Sequence, residues 1–283
     1  MALTLRPDDA IDLQLHTVHS DGVWQPGELL GYLAGAGFRA VAITDHDHLE
    51  HTAALAALGQ RSGVHVIPAV EMSTEWEGRL ADLLCFAPAF TGDALAAIAR
   101  RTARHQLENT RAVHGELRRR GFAFPNQGAV LARQAGAVIR PVDNATLLVS
   151  HGYAPTLAAA LAMIADAGYI SIHADLGETV AAAHASGAVA LLAHPGRGEP
   201  PFTRYDTALL DALRASIPLD GIEVRYPLHS AAQVAEYEDY AARHGWLQSA
   251  GSDSHGPDQR LPIAYPAAVA RDLLQRCGIH VAR

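Results

Sequence analysis

Residues 10–48 read AIDLQLHTVHSDGVWQPGELLGYLAGAGFRAVAITDHDH. Ile11, Leu13 and Leu15 alternate with polar residues, the period of a half-buried strand. Pro26 stands where a helix opens, a position at which its missing N–H costs nothing. Leu29, Leu30 and Leu33 carry that helix to a stop at Gly35–Gly37. Ala40 to Thr44 is a second, buried strand. The stretch is therefore a strand–helix–strand unit, and both strands run out into polar residues of metal-ligating type. Gln14, His16 and then Asp21 follow the first, and Asp45, His46, Asp47 and His48 follow the second.

The rhythm extends outward from this unit. His51 to Gln60 reads as an Ala/Leu-rich helix, and Val64 to Val70 as a third strand ending at Glu71. Repeated units of this kind imply a mostly parallel sheet, open or closed into a barrel. Met72 to Phe86 breaks the pattern, with a hairpin-type turn at Glu77-Gly78-Arg79. A long helix over about 93–120 carries seven arginines, which read as a solvated face. Residues 88–170 hold helices without clear strands and read as a mainly helical insertion. The expected domains are a barrel of 1–87 with 171–283, and an insertion of 88–170. After the insertion, strands are expected at Val189–Ala193, Gly221–Val224 and Leu247–Ser249, with helices at Glu178–Ser186, Ala208–Ala215 and Ala231–His244.

Composition narrows the function. With 283 residues, 49% hydrophobic and 18% charged, the chain suits one large domain or two small ones and excludes disorder and fibres. The apolar run Leu157–Ala165 falls far short of the ~20 residues that span a bilayer. No secretory signal opens the chain, so a cytoplasmic protein without membrane partners is expected. Two cysteines exclude a disulfide framework. A net charge of −8 argues against a stable nucleic-acid complex. All 22 basic residues are Arg, so any phosphate clamp is Arg or His.

The 16 histidines are the informative count. Those that follow strands join carboxylates: His194, Glu223, and Asp253 with His255 extend the series begun at His16, His46 and Glu71. In parallel βα folds the C-terminal strand edge is where sites are built. Singly, each of these residues is explained by hydrogen bonding or, for Asp45 and Asp253, by helix capping. Together they aim imidazole and carboxylate, without thiolate, at one mouth. That donor set suits Zn, Mn or Fe at a catalytic site. Glu71 is placed to bridge two ions, the apparatus for displacement at phosphorus.

The strings DLQLHTVHSDG (12–22), TDHD (44–47), VE (70–71), AHPGR (193–197), GIEV (221–224) and GSDSH (251–255) resemble the PHP family of metal-dependent phosphoesterases along nearly the whole chain. The resemblance implies a distorted (β/α)7 TIM-like barrel with a helical insertion, and two or three divalent ions (Mn, Zn or Fe) at its mouth. It assigns His16, Glu71 and Asp253 to a first metal, and His194 with Glu71 to a second. Asp21, His46 and His255 fall at a third, and Asp45 is a ligand or a partner that fixes an imidazole. It implies hydrolysis of a phosphate monoester or short 5′-phosphorylated nucleotide, such as a nucleoside 3′,5′-bisphosphate, by metal-activated water. His194 and Asp253 are expected catalytic groups, Arg197 and His229 both catalytic and substrate-binding, and Arg140 and His173 substrate-binding.

Two departures stand out. Gln14 replaces the first His of the family's opening motif, and an amide oxygen is the weaker zinc donor. Val142 replaces the His of an Arg-Pro-His motif, so the second metal is expected to keep only Glu71 and His194. His151 and His173 are the nearby imidazoles that could compensate. Two other readings stay open: a phosphatase for another small metabolite phosphate, histidinol-phosphate-like, and a weakened module that binds nucleotide or phosphate. The remaining histidines, His48 and His51 among them, match no motif and read as surface or packing.

Overall fold

The computed structural model describes residues 3–283. Contacts divide the chain into two compact units, Met1–Ala99 with His173–Arg283, and Arg100–Ile172.

In the first unit, β1 (Thr4–Leu5) and β2 (Ala10–Asp12) precede α1 (Pro26–Gly35), β3 (Phe38–Ile43), α2 (Thr52–Ser62) and β4 (His65–Met72). The chain then makes β5 (Thr74–Trp76), β6 (Arg79–Leu80) and β7 (Leu83–Phe86) before α3 (Ala94–Arg119). Glu77 and Gly78, with φ of 49° and 74°, form the expected tight turn between β5 and β6. The second unit adds α4 (Gln127–Val130), α5 (Pro141–Ser150) and α6 (Leu157–Asp166). The first unit resumes with β8 (Ala174–Asp175), α7 (Leu176–Ala185), β9 (Val189–Leu192), α8 (Thr207–Ser216), β10 (Gly221–Arg225), α9 (Ala231–His244) and β11 (Leu247–Ala250). It ends with β12 (Tyr265–Pro266), α10 (Arg271–Arg276) and β13 (His280–Val281).

The main sheet runs β11-β10-β9-β7-β4-β3-β2-β12. Its two ends nearly meet. Beyond β2, the Leu13 N–H donates to Ala250 O at 3.0 Å, the His16 N–H to Ser254 O at 3.0 Å, and the Asp253 N–H to Gln14 O at 2.9 Å. The result is an α/β fold with a nearly closed, barrel-like sheet. Asp12 stitches this seam, its buried carboxylate accepting the N–H groups of Ser252 at 2.9 Å and Ile263 at 3.0 Å.

One wall strand departs from the expected alternation. β7 runs antiparallel to both β4 and β9, where the sequence reads only a hairpin interruption. Leu83, Leu84, Cys85 and Phe86 are all buried, because both faces of the strand are covered. Leu84 and Phe86 pack with Ile11, Leu13, Ile67 and Leu191, while Leu83 and Cys85 pack with Leu95, Val180 and Leu210 beneath the helices.

α3 is shared between the units. Leu95, Ile98 and Ala99 join the apolar cluster of the barrel unit, whereas Val113 and Leu117 pack with Ala145, Leu148, Ala160 and Ile164 of the helical unit. No helix among the described residues is long and apolar enough to cross a membrane.

Candidate metal centre

Strand alternation and turns after strands place the site. Ile67 and Ala69 face one apolar cluster, and Glu71 continues their face at the end of β4. Gln14 and His16, two apart, both reach the same oxygen. Gln14 Nε2 donates to Glu71 Oε2 at 3.0 Å, and His16 Nε2 lies 3.0 Å from it. His194 and Asp253 have positive φ, 28° and 53°, which breaks the alternation of their strands. For non-glycine residues such backbone costs of order 1–3 kcal/mol each and concentrates at functional sites. The Glu223 carboxylate helps to hold His194, accepting its N–H at 2.9 Å.

Three groups of ligand-type side chains result, the offered atoms within 4.8 Å of one another in each. His16, Glu71 and Asp253 form one, and His16 Nε2 is 3.2 Å from Asp253 Oδ1. His16, Asp21, His46 and His255 form another, with His255 Nε2 3.1 Å from Asp21 Oδ2. The His16 ring stacks on His46 and on His255, at 4.9 and 4.2 Å between centroids. The third group is Glu71, Asp82 and His194, with His194 Nε2 3.1 Å from Glu71 Oε1 and 3.9 Å from Asp82 Oδ2. His16 and Glu71 each belong to two groups.

These residues suit cations. Both ring nitrogens of His16 and Oε1 of Gln14 are buried without a hydrogen-bond partner. Orphaned polar atoms of this kind are rare and call for a specific explanation. His16 Nε2 has carboxylate oxygens of Glu71 and Asp253 within 3.2 Å, so an imidazole and two carboxylates converge on one point. Protons substitute for cations in the electrostatics. Burial disfavours imidazolium, yet Glu71 and Asp21 raise His46 to about 9. Burial is likewise outweighed at His16, held well above its usual value by Asp253 and Glu71. Burial would raise Glu71, but His46, His16 and His194 hold it well below the usual carboxylate range.

A 5′-3′ exoribonuclease, Rnm, of Salmonella typhimurium is 30% identical over 261 residues, covering 87% of this chain and 85% of its own. A 3′,5′-nucleoside bisphosphate phosphatase of Chromobacterium violaceum is 29% identical over 253 residues, 88% of either chain. The chain belongs to the PHP family of metal-dependent phosphoesterases. No protein-family model matches it. A solved structure from Bifidobacterium adolescentis, 24% identical, has a TM-score of 0.80 over 96% of this chain and 97% of its own, which bears on the fold alone. This PHP phosphoesterase hydrolyses phosphoester bonds in a metal-dependent manner.

Several residues expected at the PHP site make other contacts. Asp45 stands outside the three groups. Its Oδ1 accepts the Thr17 N–H at 2.7 Å and the Ser20 hydroxyl at 2.8 Å, and its Oδ2 the Thr17 hydroxyl at 2.6 Å. It holds the 17–20 loop that precedes Asp21. Gln14 serves by its amide N–H, as a donor to Glu71. His229 is not a free proton donor: Nδ1 donates to Val224 O at 2.8 Å, and Nε2 accepts the Gly196 N–H at 3.0 Å. It pins the AHPG turn to β10. The Arg197 guanidinium is paired with Glu199 at 2.6 Å and lies 3.4 Å over the Phe202 ring, which meets His194 edge-on at 5.6 Å. Arg140, in the helical unit, caps α5 through Asp143. There His151 accepts the Asn126 N–H at Nε2 and pairs through Nδ1 with Leu147 O. His173 lies 3.9 Å from Glu75.

Asp82 matches no motif, yet it adds a carboxylate to Glu71 and His194 in the third group. β7 is antiparallel, so its N-terminal end meets the C-terminal ends of its neighbours, and Asp82 immediately precedes it. The Tyr226 hydroxyl, likewise in no motif, donates to Asp253 Oδ2 at 3.2 Å.

Proposed function

We propose that the chain removes phosphate from small phosphorylated nucleotides of the nucleoside 3′,5′-bisphosphate kind, or from the 5′ end of short oligonucleotides. The observation that carries this is the double membership of His16 and Glu71, which ties three ligand groups into one centre. The printed activities of the relatives, a bisphosphate phosphatase and a 5′-3′ exoribonuclease, support the substrate class. His16, Glu71 and Asp253 would hold one divalent ion, Glu71, Asp82 and His194 a second, and Asp21, His46, His16 and His255 a third. Mn, Zn or Fe fits such oxygen and imidazole donors. Bound divalent ions lower the pKa of water and neutralise phosphoryl oxygens.

The chain's own groups do the rest in this reading. Gln14 holds Glu71 by its amide, Asp45 sets the Asp21 loop, and Tyr226 orients Asp253. Arg197 receives a phosphate oxygen by exchanging Glu199 for substrate, since guanidinium matches phosphate bidentately. The wall is read as the distorted seven-stranded (β/α) barrel of the family, with 100–172 as its helical insertion, and the chain as cytoplasmic, where nucleotide substrates occur.

Chelator-stripped protein reloaded with Mn(II) is expected to release phosphate from adenosine 3′,5′-bisphosphate, and Asp253→Ala to abolish the release. Metal uptake without release would move the reading to another small phosphate or to a binding module. Gln14→His then separates the two: a large gain marks a degenerate centre, a loss a retuned one.

A further inference from the structure

The segment after β3 divides its histidines between two places. His46 joins the central groups. Asp47, with φ of 54°, turns the chain, and His48 joins a separate trio with Glu50 and His51. The atoms these three offer lie within 4.8 Å of one another. Glu50 Oε1 is the common point, 2.6 Å from His48 Nδ1 and 3.8 Å from His51 Nε2. His51 is the N-cap residue of α2 but makes no side-chain capping bond, so its ring is not committed to the helix. The His19 ring stacks on it at 3.7 Å, adding a second imidazole to that flank.

The trio differs from the central groups in access. The side chains of His48, Glu50 and His51 are 30%, 51% and 35% exposed, against 0% and 1% for His16 and Glu71. A cation can therefore reach the trio from solvent without opening the fold. The donors are two imidazoles and one carboxylate with no thiolate, the composition of an open zinc site, in which a fourth position is left to water. A helix N-terminus disfavours a cation, but the Glu50 carboxylate lies at the same place and offsets that field.

We propose that His48, Glu50 and His51 form a further zinc site at the surface, separate from the central metals and not part of the phosphoesterase machinery. It binds an exchangeable Zn2+ through two imidazoles and one carboxylate, and does not depend on the nucleotide reading of the centre.

The test is zinc stoichiometry. Chelator-stripped full-length protein is dialysed to equilibrium against buffered Zn2+ and its metal counted by elemental analysis, for wild type, His48→Ala/His51→Ala, Glu50→Gln and Asp253→Ala. The double variant is expected to bind one fewer zinc per chain than wild type, with its Mn(II)-supported phosphate release unchanged. Asp253→Ala is expected to keep the ion that the double variant loses. Glu50→Gln, nearly isosteric and thus safe for folding, weakens that ion about tenfold or more. Ring 15N resonances of His48 and His51 shift on zinc addition to wild type. Equal zinc counts in wild type and double variant, or rings that do not respond, overturn the proposal.

Discussion

Gln14 shows how one side chain can change role without leaving its place. The amide N–H it donates to Glu71 Oε2 orients the carboxylate shared by two ligand groups. Gln14→Ala is expected to weaken metal binding about 10–100-fold, as loss of such an orienting partner does elsewhere, with the fold intact by circular dichroism. Asp45→Ala removes three hydrogen bonds from the 17–20 loop and is expected to cost about 2–4 kcal/mol by denaturant unfolding. His229 carries a pH dependence. Burial lowers it to about 4 in the fold, below its unfolded value of about 6.5. The unfolded chain therefore takes the proton first, and this residue's contribution is whole above pH ~6.5 and fades as pH falls toward 4. Relative to His229→Gln, wild type should lose about 2 kcal/mol more between those limits, after allowance for the ring's partial exposure. What the sequence revealed at this scale were residues at parallel strand ends, where period and turn aim them together. What it concealed were roles set by a partner far along the chain: Asp45 by Thr17, Gln14 by Glu71, His229 by Gly196.

At the scale of elements, β7 accounts for most of what motif reading could not see. Its four apolar residues carry no period, because both faces are buried, and nothing local marks its direction. The rule that sites gather at C-terminal strand ends therefore passed over Asp82. Asp82→Ala is expected to remove one divalent ion per chain and leave the other groups loaded, by elemental analysis; unchanged stoichiometry would remove Asp82 from the second group. The turn after β9 is the other decisive element. A Cβ on Gly196 would come within 2.5 Å of His229 Cδ2 and 2.8 Å of Gln233 Nε2, the latter a side chain that both closes the capping box of α9 and donates to Gly196 O at 2.9 Å. Gly196→Ala is expected to destabilise by about 1–3 kcal/mol through overpacking, and to lower activity by displacing His194, two residues upstream.

Across the whole molecule, the βα rhythm and the helical stretch were legible because hydrophobic period and turn residues recur along most of the chain. The division within α3 was not, since a continuous helix gives no local sign of where its apolar face changes partner. The central groups couple the ends of the chain, from His16 to His255, so metal loading stabilises the barrel globally. Ions at 100 times their dissociation constant add about 2.7 kcal/mol per site. Chelation should thus lower the melting temperature by roughly 5–10 °C for each ion removed, reversed by Mn(II), in a thermal shift assay. The left-handed backbone at His194 and Asp253 has a consequence for the protein's evolution. Selection for thermostability alone would favour glycine or asparagine there, relaxing the chain while removing groups proposed to hold the metals. A library enriched for heat resistance would therefore lose activity first at those positions, and the pattern of its winners would draw the outline of the active site without a substrate ever being supplied.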